Sequence, residues 1–170
     1  MSPQLDLGLP DIGRVSEQYI PTGKIAKQLE SLREARTFSE LVDIAKTWVA
    51  AYGSMPEETK MLFKYYHLLA SCRRMGVDQV MLDAGTADSA SPTALLLGPE
   101  VTADRWSGLA EKSLMQKAAR ARFQVASDGR GALIKGLGTD RSKWLDLLLE
   151  VLLPLATFVE EKQNLMQPED

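Results

Sequence analysis

Gly76-Val77-Asp78-Gln79-Val80-Met81-Leu82-Asp83-Ala84-Gly85-Thr86-Ala87-Asp88-Ser89-Ala90-Ser91-Pro92-Thr93-Ala94-Leu95-Leu96-Leu97-Gly98-Pro99-Glu100, residues 76–100, is the stretch on which the class of this chain turns. Gly76 stops the helical pattern that precedes it, as a left-handed glycine does just past a helix. Residues 77–84 read as a short helix that closes at Gly85. Residues 85–100 read as a linker, with Leu95, Leu96 and Leu97 anchored and the small polar residues mobile, because so long a structureless loop is unusual inside a compact domain. With neither half read as a strand, the expected class is all-α.

Upstream, the pattern is helical. Thr22 can cap a helix carrying Ile25, Leu29 and Leu32 on one side. Ser39 starts a second, with Leu41, Val42, Ala45, Trp48 and Val49 at helical spacing, and Gly53 ends it. Ser54-Met55-Pro56-Glu57 forms a start signal for a third, which runs to Met75. Residues 1–21 differ. Leu5, Leu7 and Leu9 alternate with Gln4, Asp6 and Gly8, a period of two that suits an extended arm lying on a neighbouring subunit or on its own domain.

Downstream, Thr102 caps a helix of roughly 25 residues ending near Asp128-Gly129. A short helical segment at 132–135 follows, then a turn from Gly136 to Asp140. A last helix begins at Arg141 and ends near Gln163, with Pro154 inside it removing one backbone bond. The expectation is a compact bundle of six to seven helices with an extended N-terminal arm. Its parts are an arm at 1–21, a helical lobe at 22–84, a linker at 85–100 and a second lobe at 101–170, together one domain.

Composition limits the function. Of 170 residues 45% are hydrophobic and 25% charged, enough for a core, and the net charge of −3 argues against a general nucleic-acid binder. A single cysteine, Cys72, rules out an internal disulfide framework and fits a reducing, cytoplasmic setting. The apolar run at 144–159 is broken by Asp146 and Glu150 and is shorter than a membrane span. A helix this apolar must be enclosed on most sides, either as the central core helix or by another subunit.

Catalytic signatures are missing from the sequence. His67 and Cys72 are the only histidine and cysteine, too few for a metal centre or a nucleophile–histidine pair, and no phosphate loop or nucleophile elbow occurs. The expectation is a non-enzymatic protein without cofactor or metal. Lys135-Gly136-Leu137-Gly138-Thr139-Asp140 resembles the calcium loop of annexins, which would imply calcium-dependent membrane binding. However, Arg141 replaces the usual Glu and no second copy follows. The plainer reading is two glycines ending one element and Thr139 or Asp140 capping the next.

Charge is unevenly spread. Residues 112–143 hold eight basic and two acidic residues, a net +6, while the remainder holds 12 basic and 21 acidic, a net −9. On a helical wheel Arg105, Lys112 and Arg120 lie opposite the apolar stripe of Leu114, Ala118, Ala121 and Val125, with Phe123 near the cations. A basic face with an aromatic in it suits a nucleic-acid backbone. The candidate contacts are Arg105, Lys112, Lys117, Arg120, Arg122, Arg130, Lys135, Arg141 and Lys143.

Two stretches resemble the small, all-helical subunit of CRISPR–Cas effector complexes. One is Tyr65-Tyr66-His67-Leu68-Leu69 through Arg73-Arg74-Met75-Gly76-Val77 to Gln79 and Val80. The other is Asp140-Arg141-Ser142-Lys143-Trp144 leading into the apolar run that ends at Val159, then Glu160-Glu161-Lys162. The resemblance implies a structural subunit that packs against copies of itself and other subunits and contacts the backbone of RNA or single-stranded DNA. Leu155-Ala156-Thr157-Phe158 stands where that family often carries basic residues, so the upstream cations would have to supply the contact. The alternative is a helical virion or phage assembly subunit, or another protein-interaction subunit, without nucleic acid.

Overall fold

A computed structural model describes residues 3–9 and 15–166. Among these there are six α-helices and a five-stranded sheet, so the fold is mixed α/β and the all-α expectation is corrected. In chain order the elements are β1 (Gln4–Asp6), α1 (Thr22–Glu34), α2 (Phe38–Tyr52), α3 (Glu57–Met75), β2 (Gln79–Leu82) and β3 (Ala94–Leu97). There follow α4 (Ala103–Ser113), α5 (Lys117–Arg122), β4 (Phe123–Val125), β5 (Ala132–Ile134), a 3₁₀ turn at Arg141–Lys143 and α6 (Trp144–Met166).

The sheet order is β1-β2-β3-β5-β4. β1 runs parallel to β2, and the remaining pairs are antiparallel. The expected helix at 77–84 is therefore a strand. Residues 85–100 contain β3 at the centre of the sheet, the segment at 132–135 is a strand, and the long helix from Thr102 is broken into α4, α5 and β4. The register explains the choice. Val80, Leu96 and Ala132 align across three strands and are fully buried, while Met81, Leu95 and Leu133, one residue along, align on the opposite face and are half-buried. Strands apolar on both faces lose the alternation that would betray them.

The N-terminal arm lies on its own domain. β1 extends the sheet beside β2, Leu7 is buried in the core, and the carbonyl of the following Gly8 accepts from Arg141 Nη1 at 2.7 Å. Residues 1–2 and 10–14 of the arm lie outside the described residues.

Two apolar clusters meet at α3. One joins α1, α2 and one side of α3 through Leu32, Leu41, Trp48, Leu62 and Phe63. The other joins the sheet to α3, α4 and α6 through Met75, Val80, Leu96, Trp106, Trp144, Leu148 and Leu152. Gly76 closes α3 at φ +71, with Gly76 N–H donating to Arg73 and Val77 N–H to Cys72 at 2.8 Å, so two of the last turn's carbonyls are satisfied. Thr102 caps α4 by accepting from the Arg105 N–H. Thr102→Ala should lower stability by about 1 kcal/mol in urea denaturation. An unchanged midpoint would show the cap to be idle.

Candidate docking groove

The longest helix, α6, is enclosed on only part of its circumference. Leu145, Leu148, Val151, Leu152, Leu155, Ala156 and Val159 of α6 are buried. They follow the three- and four-residue spacing of the face that packs on α3 and the sheet. Leu149, Leu153, Pro154, Thr157 and Phe158 are half-buried and form the floor of an open groove. Its other wall is Lys112 and Ser113 of α4 and Gln116 of the following turn, and Glu150 and Glu161 complete the lining. The volume is about 780 Å³. Met115, in the same turn, is 72% exposed.

Local sequence builds this groove. Leu114 is buried and ends α4, so the chain turns there and carries Met115 and Gln116 past the end of the helix. Pro154 has no N–H, so the Glu150 carbonyl loses its helical donor on the side of α6 that faces the groove. Lys162 Nζ lies 5.0 Å over the Phe158 ring.

The nine cations expected on one face fall in three places. Lys112, Lys117, Arg120, Arg122 and Lys135 are on α4, α5 and the adjoining end of β5. Arg105 and Arg130 are at the other end of α4, where Thr102 bridges to Arg130 in the β4–β5 turn. Arg141 and Lys143 are in the turn before α6, beside Gly8. Four of the arginines also work inside the fold. Arg105 Nη1 donates to the carbonyls of Met75 and Glu100, both at 3.4 Å, and lies 3.7 Å from the Glu100 carboxylate. Arg120 Nε donates to the Leu114 carbonyl. Arg122 Nη1 donates to Lys135 at 3.2 Å and to Gly136, with Nε 3.9 Å from Glu150. Arg141 donates to Gly8 and lies 5.2 Å over the Trp144 ring. Lys112, Lys117, Arg130, Lys135 and Lys143 are exposed.

The annexin-like loop is occupied by its own fold. The Gly136 carbonyl accepts from Arg122, and the Gly138 carbonyl accepts from Trp144 Nε1 at 3.0 Å. Asp140 caps the 3₁₀ turn through the Ser142 N–H at 3.1 Å, and its bonds to Ser142 hold its carboxyl below the usual range. A guanidinium stands where a cation would need oxygens. Among the described residues no group of three His, Cys, Asp or Glu side chains could hold a metal. His67 stacks on Phe38, with centroids 6.1 Å apart and planes at 14°, and burial lowers its pKa. Burial pushes the Cys72 thiol up to about 12, far from a reactive thiolate. No helix among the described residues is long and apolar enough to cross a membrane.

No family model matches the chain, and no curated protein does. One solved structure, described as the crystal structure of the C-terminal domain of a transcription-repair coupling factor, superimposes with a TM-score of 0.65. It covers 95% of this chain and 97% of that one at 14% identity. At that identity the likeness is one of fold. The resemblance to CRISPR small subunits implied an all-helical chain. The sheet corrects that, since the first of the two stretches that suggested it runs into strand β2 at Gln79 and Val80. A CRISPR role and RNA binding, which that resemblance implied, find no support in these comparisons.

Sequence reading pointed to the excess apolar surface of α6 and left open what encloses it. It missed Leu149, Leu153 and Phe158 as a separate stripe, because the wall that makes them a groove comes from α4 and the Met115 turn.

Proposed function

We propose that the chain is a non-enzymatic, cytoplasmic protein-docking module that serves a larger machine acting on nucleic acid, with the groove along α6 as its receiving surface. The observation that carries the reading is the stripe of Leu149, Leu153, Pro154 and Phe158, left half-buried on the longest helix, with exposed Met115 next in sequence to the lining residue Gln116. Exposed apolar surface that is continuous and rimmed by polar residues marks interaction sites. The likeness in fold to the C-terminal domain of a transcription-repair coupling factor supports the setting. A basic face acting alone has less support, because Arg105, Arg120, Arg122 and Arg141 hold backbone carbonyls.

A photo-crosslinking residue at Met115, compared with one at exposed Asp43 on α2, tests this in cells of the source organism. The expected result is a discrete protein adduct from position 115 that is absent from position 43 and survives nuclease. Nuclease-sensitive adducts would move the reading to nucleic-acid contact through Lys112, Lys117 and Lys135. Equal adducts at both positions, or none at 115, would end it.

A further inference from the structure

We infer that the occupant of this groove is a single amphipathic α-helix of a partner protein, about three turns long, with its apolar stripe on Leu149, Leu153, Pro154 and Phe158 and a basic residue beside Glu161. The inference rests on the docking reading and names the chemistry of the partner.

Three observations select a helix. First, the walls of the groove are α4, the turn after it and α6, and no strand edge borders it. An extended peptide would find almost no backbone partners there, whereas a helix satisfies its own N–H and C=O groups. Second, the groove is an open trough. A small ligand is mostly enclosed when bound, but an amphipathic helix needs one side in water. Third, Leu149 to Glu161 along α6 span about 18 Å at 1.5 Å per residue, the length of a helix of about twelve residues.

Charge fixes the flanks. Lys112 stands on the α4 wall and Glu161 on the α6 wall, while Glu150 already faces Arg122 at 3.9 Å. A helix that matches this rim carries a carboxylate on the side toward Lys112 and a cation on the side toward Glu161. Exposed Met115 immediately precedes the lining residue Gln116 in the turn after α4, and its flexible thioether adapts to the side chains it meets.

The test uses the full chain, immobilised, and two displayed libraries of 14-residue peptides with the same composition. One places apolar residues at helical spacing and the other alternates them, with Lys and Glu varied in the flanks of both. Enriched peptides are then titrated by fluorescence anisotropy. The expected winners come from the helical library, become helical on binding by circular dichroism, and bind at least tenfold more weakly to Leu153→Lys. Met115→Glu, at an exposed position that leaves the core intact, weakens them as well, and Glu161→Lys switches the preferred flanking charge. Winners from the alternating library, or winners indifferent to Leu153→Lys and Met115→Glu, overturn the helical occupant. If crosslinking at Met115 still succeeds in that case, the docking reading stands with an extended partner. If crosslinking fails, both fall.

Discussion

Gly98→Ala is expected to destabilise the protein by about 3 kcal/mol or more, enough to leave much of a marginally stable domain unfolded. A Cβ at Gly98 would sit on the backbone carbonyl of Gly76 and within 3.2 Å of the Asp78 nitrogen, far closer than real Cβ contacts. Neither neighbour can swing aside, because both are main chain. Asp78 N–H already donates to the Leu97 carbonyl at 2.8 Å, so the segment joining α3 to β2 lies backbone against backbone on the exit from β3. Relief requires β2 and β3 to part, and with them Val80 and Leu96. Gly108→Ala is the control. Gly108 lies in the middle of α4 with nothing within 4 Å of a new Cβ, so alanine there should add roughly 0.5–1 kcal/mol through helix propensity alone. Urea denaturation of the two variants decides the matter. A Gly98→Ala midpoint near that of the parent would mean the two connections are not in contact.

The same contact explains what the sequence concealed. Gly76 and Thr102 read correctly as a helix end and a helix cap because each acts within its own few residues. The strands are decided by partners far away. Gln79–Leu82 and Ala94–Leu97 are four residues each, and their apolar character is almost unbroken because both faces of the sheet are at least half covered. A run of that length and composition fits a helical turn as well as a strand until its neighbour is known. The helix expected from Thr102 to Asp128 failed for a related reason. Residues such as Ala118, Ala119 and Ala121 favour helix locally, but Phe123 to Val125 gain more by pairing with Ala132 to Ile134.

For the site, the width of α6's apolar surface was legible, and its division into a core face and a groove floor was not. The basic residues show the opposite error. Their number was plain from the sequence. Their destinations, carbonyls belonging to β5, α3 and the N-terminal arm, exist only once the chain has folded.

Arg122→Ala separates these two kinds of arginine, and it should cost about 2–3 kcal/mol. Arg122 is 26% exposed; its guanidinium donates to the carbonyls of Lys135 and Gly136, and its Nε lies 3.9 Å from the carboxylate of Glu150, itself 30% exposed. Truncation leaves two turn carbonyls without that donor and a half-buried carboxylate without its counter-charge, which is the costly way to break such a group. Arg122→Lys should recover only part of the loss, because an ammonium cannot reproduce a planar group that bonds two carbonyls through Nη1 while its Nε faces a carboxylate. Lys117→Ala, at an exposed position on the same short helix, should change stability by no more than about 0.5 kcal/mol. If Arg122 were chiefly a phosphate contact, its truncation would resemble that of Lys117 in stability and differ from it only in salt-dependent binding. Thermal and urea denaturation of the three variants side by side distinguish the cases, and equal midpoints for Arg122→Ala and Lys117→Ala would return Arg122 to the open basic surface.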